Sequence, residues 1–410
     1  VVKRSTSLKR FKGGKLKNNL DYLLSPVAIR DKAREIFDVT VAGKGHFRYH
    51  PERLNWTVDY VLSVIEKNYP DNTKIPFHSR WGHFRVGGVD RSLQLNEKLK
   101  ESTAKELART KLDLAVTSVL LDAGAGDGWS YLEKESGKTF NRSEGLGVAS
   151  FYLFLSGKLA SDHQSLCADK DGLQNLSRAD LEQAFQVTAE NPLIGVEGRL
   201  SLLNNLANAL QNRLYFRDGR PGNILDYLIE KYGKKIPATG LLRAVLDAFG
   251  PIWPGRESLE GVNLGDVWPH SQLGLVPFHK LSQWMSYSLI EPIVEAGIEV
   301  EGVEGLTGLA EYRNGGLLID AGLISFSNPS DAEKAWAPGS DLVIEWRALT
   351  VHLLDIIGTQ VQERLGKKPS EFPLAKVLEG GTWWAGRFLA ADKRVGGGPP
   401  LRIQSDGTVF

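Results

Sequence analysis

Apolar residues recur at three- and four-residue intervals along most of this chain, and that period limits the possible folds more than any other feature. In residues 55–68 the apolar positions are Val58, Val61, Leu62 and Ile65, and Tyr69-Pro70 ends the run. A 3.6-residue repeat places such positions on one helix face, and the proline stops the helix. Residues 93–121 read as one long periodic stretch through Leu99, Leu107, Leu114 and Val119. Residues 144–156 are apolar nearly all round, which marks a buried helix. Further helices are expected over 177–188 with Ser177 as N-cap, and over 197–213, 221–232, 241–249, 277–290 and 344–365. Strand signals are confined to 298–303, 316–325 and 401–409. No strand-then-helix unit repeats, so a doubly wound sheet is not expected. The expectation is a mainly α fold, a compact multi-helix body with few short strands. In it, residues 1–90 form an N-terminal helical region packed on a main helical domain of residues 91–410.

Composition narrows the function classes. The 50 basic and 49 acidic side chains leave a net charge of +1, which argues against a nucleic-acid partner needing a broad positive face. The single cysteine, Cys167, excludes a disulfide framework and any cysteine-based zinc or iron–sulfur site. A reducing, cytoplasmic setting is expected. No run approaches the roughly 20 apolar residues of a membrane span, so no membrane partner is expected. The first twenty residues carry seven Lys or Arg and no acid, but Gly13-Gly14 interrupts them. A basic arm fits better than a targeting helix.

The loudest local motif is Val-Leu-Leu-Asp-Ala-Gly-Ala-Gly-Asp-Gly over 119–128. It has the look of the first motif of S-adenosylmethionine methyltransferases, which needs a strand, a glycine turn and a helix. Here the apolar run continues a helical period from Leu107, and no second strand ending in an acid follows. A methyltransferase is therefore the alternative reading. Asp122 and Asp127 flank glycines beside Trp129. Such carboxylates can accept hydrogen bonds from sugar hydroxyls while the indole forms an apolar wall. The plainer alternative is a helix C-terminal cap with solvated acids.

Other clusters share this chemistry. Residues 76–85 hold His78, Arg80 and His83, suited to phosphate or carboxylate. The two histidines lack a third metal ligand nearby, so no metal is expected. Arg142 and Glu144 open the buried helix as an ion pair or as site groups. Asp266, Trp268 and His270 share one irregular loop, either a site wall or a surface turn. Lys280 sits on a strongly apolar helix, where it needs a partner or a ligand. Glu311 and Arg313 lie between apolar flanks, as a core ion pair or as site groups. There is no Gly-x-Ser-x-Gly elbow, no phosphate-binding Walker loop and no cysteine nucleophile. The remaining acids, arginines, histidines and tryptophans suit hydrolysis of a polar, anionic small molecule with neither metal nor cofactor.

The segments His-Ser-Arg-Trp-Gly-His-Phe (78–84), Asp-Ala-Gly-Ala-Gly-Asp-Gly-Trp (122–129), Arg-Ser-Glu-Gly-Leu (142–146) and Ser-Asp-Gly-Thr-Val-Phe (405–410) resemble the uracil-catabolism family of the ribosylurea route in fungi and bacteria. That likeness runs across nearly the whole chain. A more distant one covers the part from Arg142 on. Glu-Gly-Arg-Leu-Ser-Leu-Leu-Asn (197–204), His-Lys-Leu-Ser-Gln (279–283) and Leu-Thr-Gly-Leu-Ala-Glu-Tyr-Arg (306–313) are similar, in the same order, to motifs of the queuosine salvage nucleosidases. Those enzymes have a helical fold akin to DNA glycosylases. Their aspartate is Glu311 here, one methylene longer.

The resemblance implies an N-glycoside hydrolase that cleaves a ribosylated urea, phosphorylated at the 5-position, to urea and ribose 5-phosphate. It places Glu311 at the anomeric carbon. Asp122 or Asp127 would be the alternative base or a ribose ligand. Arg80, Arg142, Lys280 and Arg313 would bind phosphate or fix the acids. His78 or His83 would protonate the leaving group, and Trp129 and Trp268 would wall the site. A non-catalytic protein that binds a pyrimidine metabolite is the remaining alternative.

Overall fold

Ser25 accepts the Ala28 amide at 3.3 Å and Pro26 takes the first helical position, so the first long helix, α1 (Pro26–Val41), is capped in the ordinary way. The structure is a computed structural model that describes residues 19–122, 124–126, 128–253 and 257–404. The body is then built from α2 (Leu54–Asn68), α3 (Arg80–Phe84), α4 (Ala104–Leu120), α5 (Arg142–Leu155) and α6 (Val196–Ala209). Later come α7 (Ala238–Phe249), α8 (Lys280–Glu295), α9 (Tyr312–Asp320), α10 (Asp341–Arg364) and α11 (Trp383–Lys393). One apolar cluster runs from Leu24 to Leu401 through all of these helices. The fold is mainly α, as the 3.6-residue period requires.

Strands occur only in pairs among the described residues. β1 (Phe47–Tyr49) pairs antiparallel with β8 (Ile324–Phe326), Phe47 opposite Phe326. β2 (Ser130–Glu133) and β3 (Lys138–Asn141) form a hairpin. β4 (Lys235–Pro237) runs parallel to β7 (Glu299–Glu301). β5 (Val267–His270) and β6 (Gly274–Pro277) form a second hairpin that leads straight into α8. Two strands bury too little to stand alone, so each pair is carried by the helices beside it. None of the described helices is long and apolar enough to cross a membrane.

Packing brings distant segments together. α1 lies on α10, α8 on α4 and α7, α9 on α11, and α3 on α5. Contacts that leave no room for a side chain include two on α5 and α11. A Cβ on Gly147 of α5 would come within 2.7 Å of the Cβ of His83, and one on Gly386 of α11 within 2.1 Å of the Arg313 carbonyl oxygen.

Three sequence expectations need correction. Residues 93–121 are two helices, because Thr103 accepts the Glu106 amide and starts α4 afresh after the helix Ser92–Lys98. Residues 316–320, read as strand, belong to helix α9, and β8 begins only at Ile324. Gly-Gly-Leu-Leu-Ile is a short apolar run that fits either period. The helix expected from 277 begins at Lys280, because Pro277 ends β6. The run before Asp122 is helix α4, so the strand that a methyltransferase motif needs there is not formed.

Candidate functional site

Lys280, Gln283 and Trp284 occupy positions i, i+3 and i+4 of α8 and so share one face. The helix starts where it does because His279 adopts left-handed backbone at φ 49° and Asp266 accepts the Lys280 amide at 3.0 Å. Arg80 and His83 of α3 meet this face. Arg80 Cζ lies 5.6 Å from the Trp284 ring centre, and the His83 ring lies 5.7 Å from it, edge-on. Asp122 arrives from the loop after α4, and Glu311, Tyr312 and Arg313 from the start of α9. The Gln283 side-chain oxygen accepts the Thr307 amide at 3.5 Å, which ties this last segment to α8.

Arg80 is completely buried. Its Nε donates to Ser118 Oγ at 2.6 Å, and its Nη1 to the Ser143 carbonyl at 3.3 Å and to His83 Nδ1 at 3.0 Å. Nη1 also sits 2.9 Å from Asp122 Oδ1, but out of line for a hydrogen bond, so Oδ1 and Arg80 Nη2 both lack a hydrogen-bond partner. Burial raises the Asp122 carboxyl above its ordinary range, and Arg80 and Lys280 only partly bring it back. Burial likewise pushes the Lys280 ammonium down, against the pull of Glu311 and Asp122. No described residue forms an ion pair with Lys280 Nζ within 4.0 Å. His83 is driven well below its ordinary value by burial, then by Arg80, His78 and Arg387. It is a neutral ring. A guanidinium cannot accept, so Nδ1 must be the bare nitrogen and Nε2 carries the hydrogen.

Glu311 is the N-cap of α9. Its Oε2 accepts the Arg313 amide at 2.7 Å and its Oε1 the Asn314 amide at 2.6 Å. The helix N-terminus therefore fixes both oxygens. Arg313 donates through Nη1 to the Gly397 carbonyl at 2.8 Å and leaves Nε unpaired. Nine buried side-chain polar atoms lack a hydrogen-bond partner among the described residues, and six belong to this cluster: Arg80 Nη2, Asp122 Oδ1, Gln283 Nε2, Trp284 Nε1, Thr307 Oγ1 and Arg313 Nε. Buried polar atoms are nearly always paired, so such a concentration marks a place built to meet a polar ligand. Four of the six are N–H donors only.

The structure thus brings together Arg80, His83, Asp122, Lys280, Glu311 and Arg313 of the residues expected from sequence. Three more stand at the rim. Arg142 opens α5 in left-handed backbone at φ 50°, bonds the Gly396 carbonyl at 2.8 Å and acts electrostatically on Tyr312. Glu144 pairs with Arg387, whose guanidinium lies 5.5 Å from the Trp383 ring. His78 Nδ1 lies 2.7 Å from Glu379 Oε2.

Four others serve the framework. Trp129 is core: its Nε1 donates to the Phe185 carbonyl at 2.9 Å and its ring packs under Gly145. Asp266 is closed by Arg347, Nη1 and Nη2 each at 2.7 Å, and by Trp268 Nε1 at 2.7 Å. Trp268 is thereby held as a bracket for the start of α8. His270 lies 3.5 Å from Glu345, which also holds His46 at 2.8 Å, in a separate cluster. Asp127, residues 405–410 and the basic first eighteen residues lie outside the described residues.

Sequence reasoning met Arg199 and Gln283 only within helix motifs, without a site role, and passed over Trp284, Glu379 and Arg387. Arg199 is buried on α6 and clips the glycine-rich loop through the carbonyls of Leu121 (2.9 Å), Gly124 (3.3 Å) and Ile194. Burial pushes its pKa down to about 10. A lone arginine amid leucines was a usable signal there, of the same kind that flagged Lys280.

Comparison with known proteins adds a separate line. A family model described as "Protein of unknown function (DUF1688)" matches residues 22–410. "Uracil catabolism protein 4" of Lachancea kluyveri is 36% identical over 438 residues, covering 96% of this chain and 99% of that protein. "Protein urg3" of Schizosaccharomyces pombe is 39% identical over 399 residues, covering 95% of this chain and 98% of that protein.

Proposed function

This chain belongs to the DUF1688 family, and from that premise we propose that it acts in uracil catabolism as an N-glycoside hydrolase. The name of the Lachancea kluyveri relative supports the pathway. The nucleosidase-like motifs support the reaction: water replaces urea on the anomeric carbon of a ribosylurea 5-phosphate, giving urea and ribose 5-phosphate.

Breaking a ribosyl C–N bond builds positive charge on the anomeric carbon. A fixed carboxylate beside it lowers that barrier without moving at the moment of reaction. Glu311, tied by two backbone amides at 2.6 and 2.7 Å inside a donor-rich cluster, is the observation that carries the reading. With both oxygens engaged, it serves better as a standing negative charge than as a proton acceptor. The substrate's other end follows from the donor count. Arg80 Nη2, Gln283 Nε2, Trp284 Nε1, Arg313 Nε and the Lys280 ammonium call for acceptors, and a phosphorylated sugar is rich in them. The test is urea release from synthetic ribosylurea 5-phosphate, with the unphosphorylated compound alongside and chelator present. We expect release from the phosphorylated compound. Glu311→Gln should lower kcat about 10³-fold with KM little changed, the size of effect seen when one transition-state charge partner is lost. Unchanged kcat in that variant would overturn the assignment.

A further inference from the structure

His78 and His83 flank Arg80 on the same short stretch, and each is gripped at Nδ1, one by an anion and the other by a cation. Behind His78 stands Glu379, its Oε2 at 2.7 Å and its Oε1 accepting the Tyr69 hydroxyl at 3.2 Å. A carboxylate only accepts, so the His78 Nδ1 carries a hydrogen, and the neutral ring leaves Nε2 bare. Behind His83 stands Arg80, which only donates, so there Nδ1 is bare and Nε2 carries the hydrogen. Neither Nε2 has a hydrogen-bond partner among the described residues.

The backbone enforces this. Glu379 lies in a π-helical turn (Leu378–Thr382), a feature frequent at functional sites. This turn and the helical turn before it pack on the segment leading to His78: His78 N donates to the Ala375 carbonyl at 3.0 Å, and a Cβ on Gly380 would come within 2.8 Å of Ile75. The glutamate reaches to within 3.8 Å of where a Cβ on Gly82 would stand, beside His83.

We propose that His78 and His83 form a base-and-donor pair locked in opposite tautomers, with Glu379 and Arg80 as their positioning residues. This rests on the hydrolase reading. As urea leaves, the C–N bond breaks and its electron pair stays on the urea nitrogen. Water oxygen bonds the anomeric carbon and loses a proton to His78 Nε2. That same proton then passes to the urea nitrogen, so the site ends as it began. His83 Nε2–H keeps its hydrogen and bonds the urea oxygen, where the departing charge is shared.

The chain has eight histidines, few enough for ring nitrogens to be read by NMR in the full-length protein labelled with ¹⁵N-histidine. His78→Gln and His83→Gln assign the signals. We expect His83 protonated at Nε2 only and neutral His78 at Nδ1 only. The reverse tautomer at either ring overturns the pair whether or not any substrate has been found. On ribosylurea 5-phosphate, Glu379→Gln should lower kcat about 10²-fold with KM within about threefold, and Glu379→Asp should recover part of it. An unchanged kcat in Glu379→Gln also overturns the pair. Correct tautomers without urea release would sink the substrate reading alone.

Discussion

Two buried arginines close in sequence, Arg91 and Arg80, show how a closed ion pair differs from an open one. Both are completely buried. Arg91 meets Glu133 through Nε at 2.5 Å and Nη2 at 2.6 Å, and its Nη1 serves the carbonyls of Phe84, Val86 and Val89 at 3.0–3.2 Å. Glu133 is further bonded by Ser136 and, at 2.8 Å, by Tyr152. The fork closes on itself, offering nothing to a ligand. Arg80 faces Asp122 askew, with an atom on each side left over. A closed pair holds the β2–β3 hairpin to the turn after α3; an open pair leaves donor capacity unused within the described residues.

The comparison can be broken by exchange of either arginine. Arg91→Met strands Glu133 without its partner in a dry place and should cost about 3–5 kcal/mol of stability, read as a lower urea midpoint, with kcat per folded molecule unchanged. Arg80→Met should do the reverse. Burial already raises the Asp122 carboxyl, so the stranded acid neutralises more readily than Glu133 would, and the stability loss should be smaller. Urea release should fall about 10²-fold, or roughly 2.7 kcal/mol of barrier, because His83 loses the group that fixes its tautomer. If both variants lose stability alike and Arg80→Met keeps its rate, the distinction fails.

Acidity separates the two acids more gently. The Asp122 carboxyl is raised by burial, so its ionisation costs stability above its folded pKa, and that cost vanishes as the pH falls through it. Burial also acts upward on Glu133, but hydrogen bonds from Arg91, Ser136 and Tyr152 outweigh it and leave the group depressed. Its contribution is present at neutral pH and is lost as the pH falls below the usual glutamate range through the depressed value. Unfolding midpoints should therefore show wild type gaining on Asp122→Asn as the pH falls from neutrality toward the ordinary aspartate range. Glu133→Gln should show no such gain there. The smallest effect is a pair of hydroxyl deletions. Tyr152→Phe should cost about 1 kcal/mol, whereas Ser143→Ala, which removes a 3.3 Å bond to Asp122, should cost a few tenths.

Much of the helical body was legible because the period repeats over whole turns: α2, α5 and α10 begin and end within a few residues of where spacing places them. α9 was not, since Gly-Gly-Leu-Leu-Ile carries under two turns of pattern and its cap is a glutamate, outside the usual capping set. Of the site, Lys280 and Glu311 could be flagged locally, as charges amid apolar neighbours. Trp129 was misread because an indole beside glycines and acids looks the same whether its ring lines a cleft or a core. Glu379 and Arg387 were invisible because their meaning depends on α11 and the π-helical turn before it folding back over α2 and α9, a tertiary fact with no local trace.

The two glycine contacts set a boundary for anyone seeking to retune this protein. At Gly147 and Gly386 the helices that carry His83 and Arg313 touch their neighbours with no side chain between them. A combinatorial library meant to change specificity should hold those two codons constant and spend its diversity on Gln283 and Thr307, whose Nε2 and Oγ1 lack a hydrogen-bond partner among the described residues.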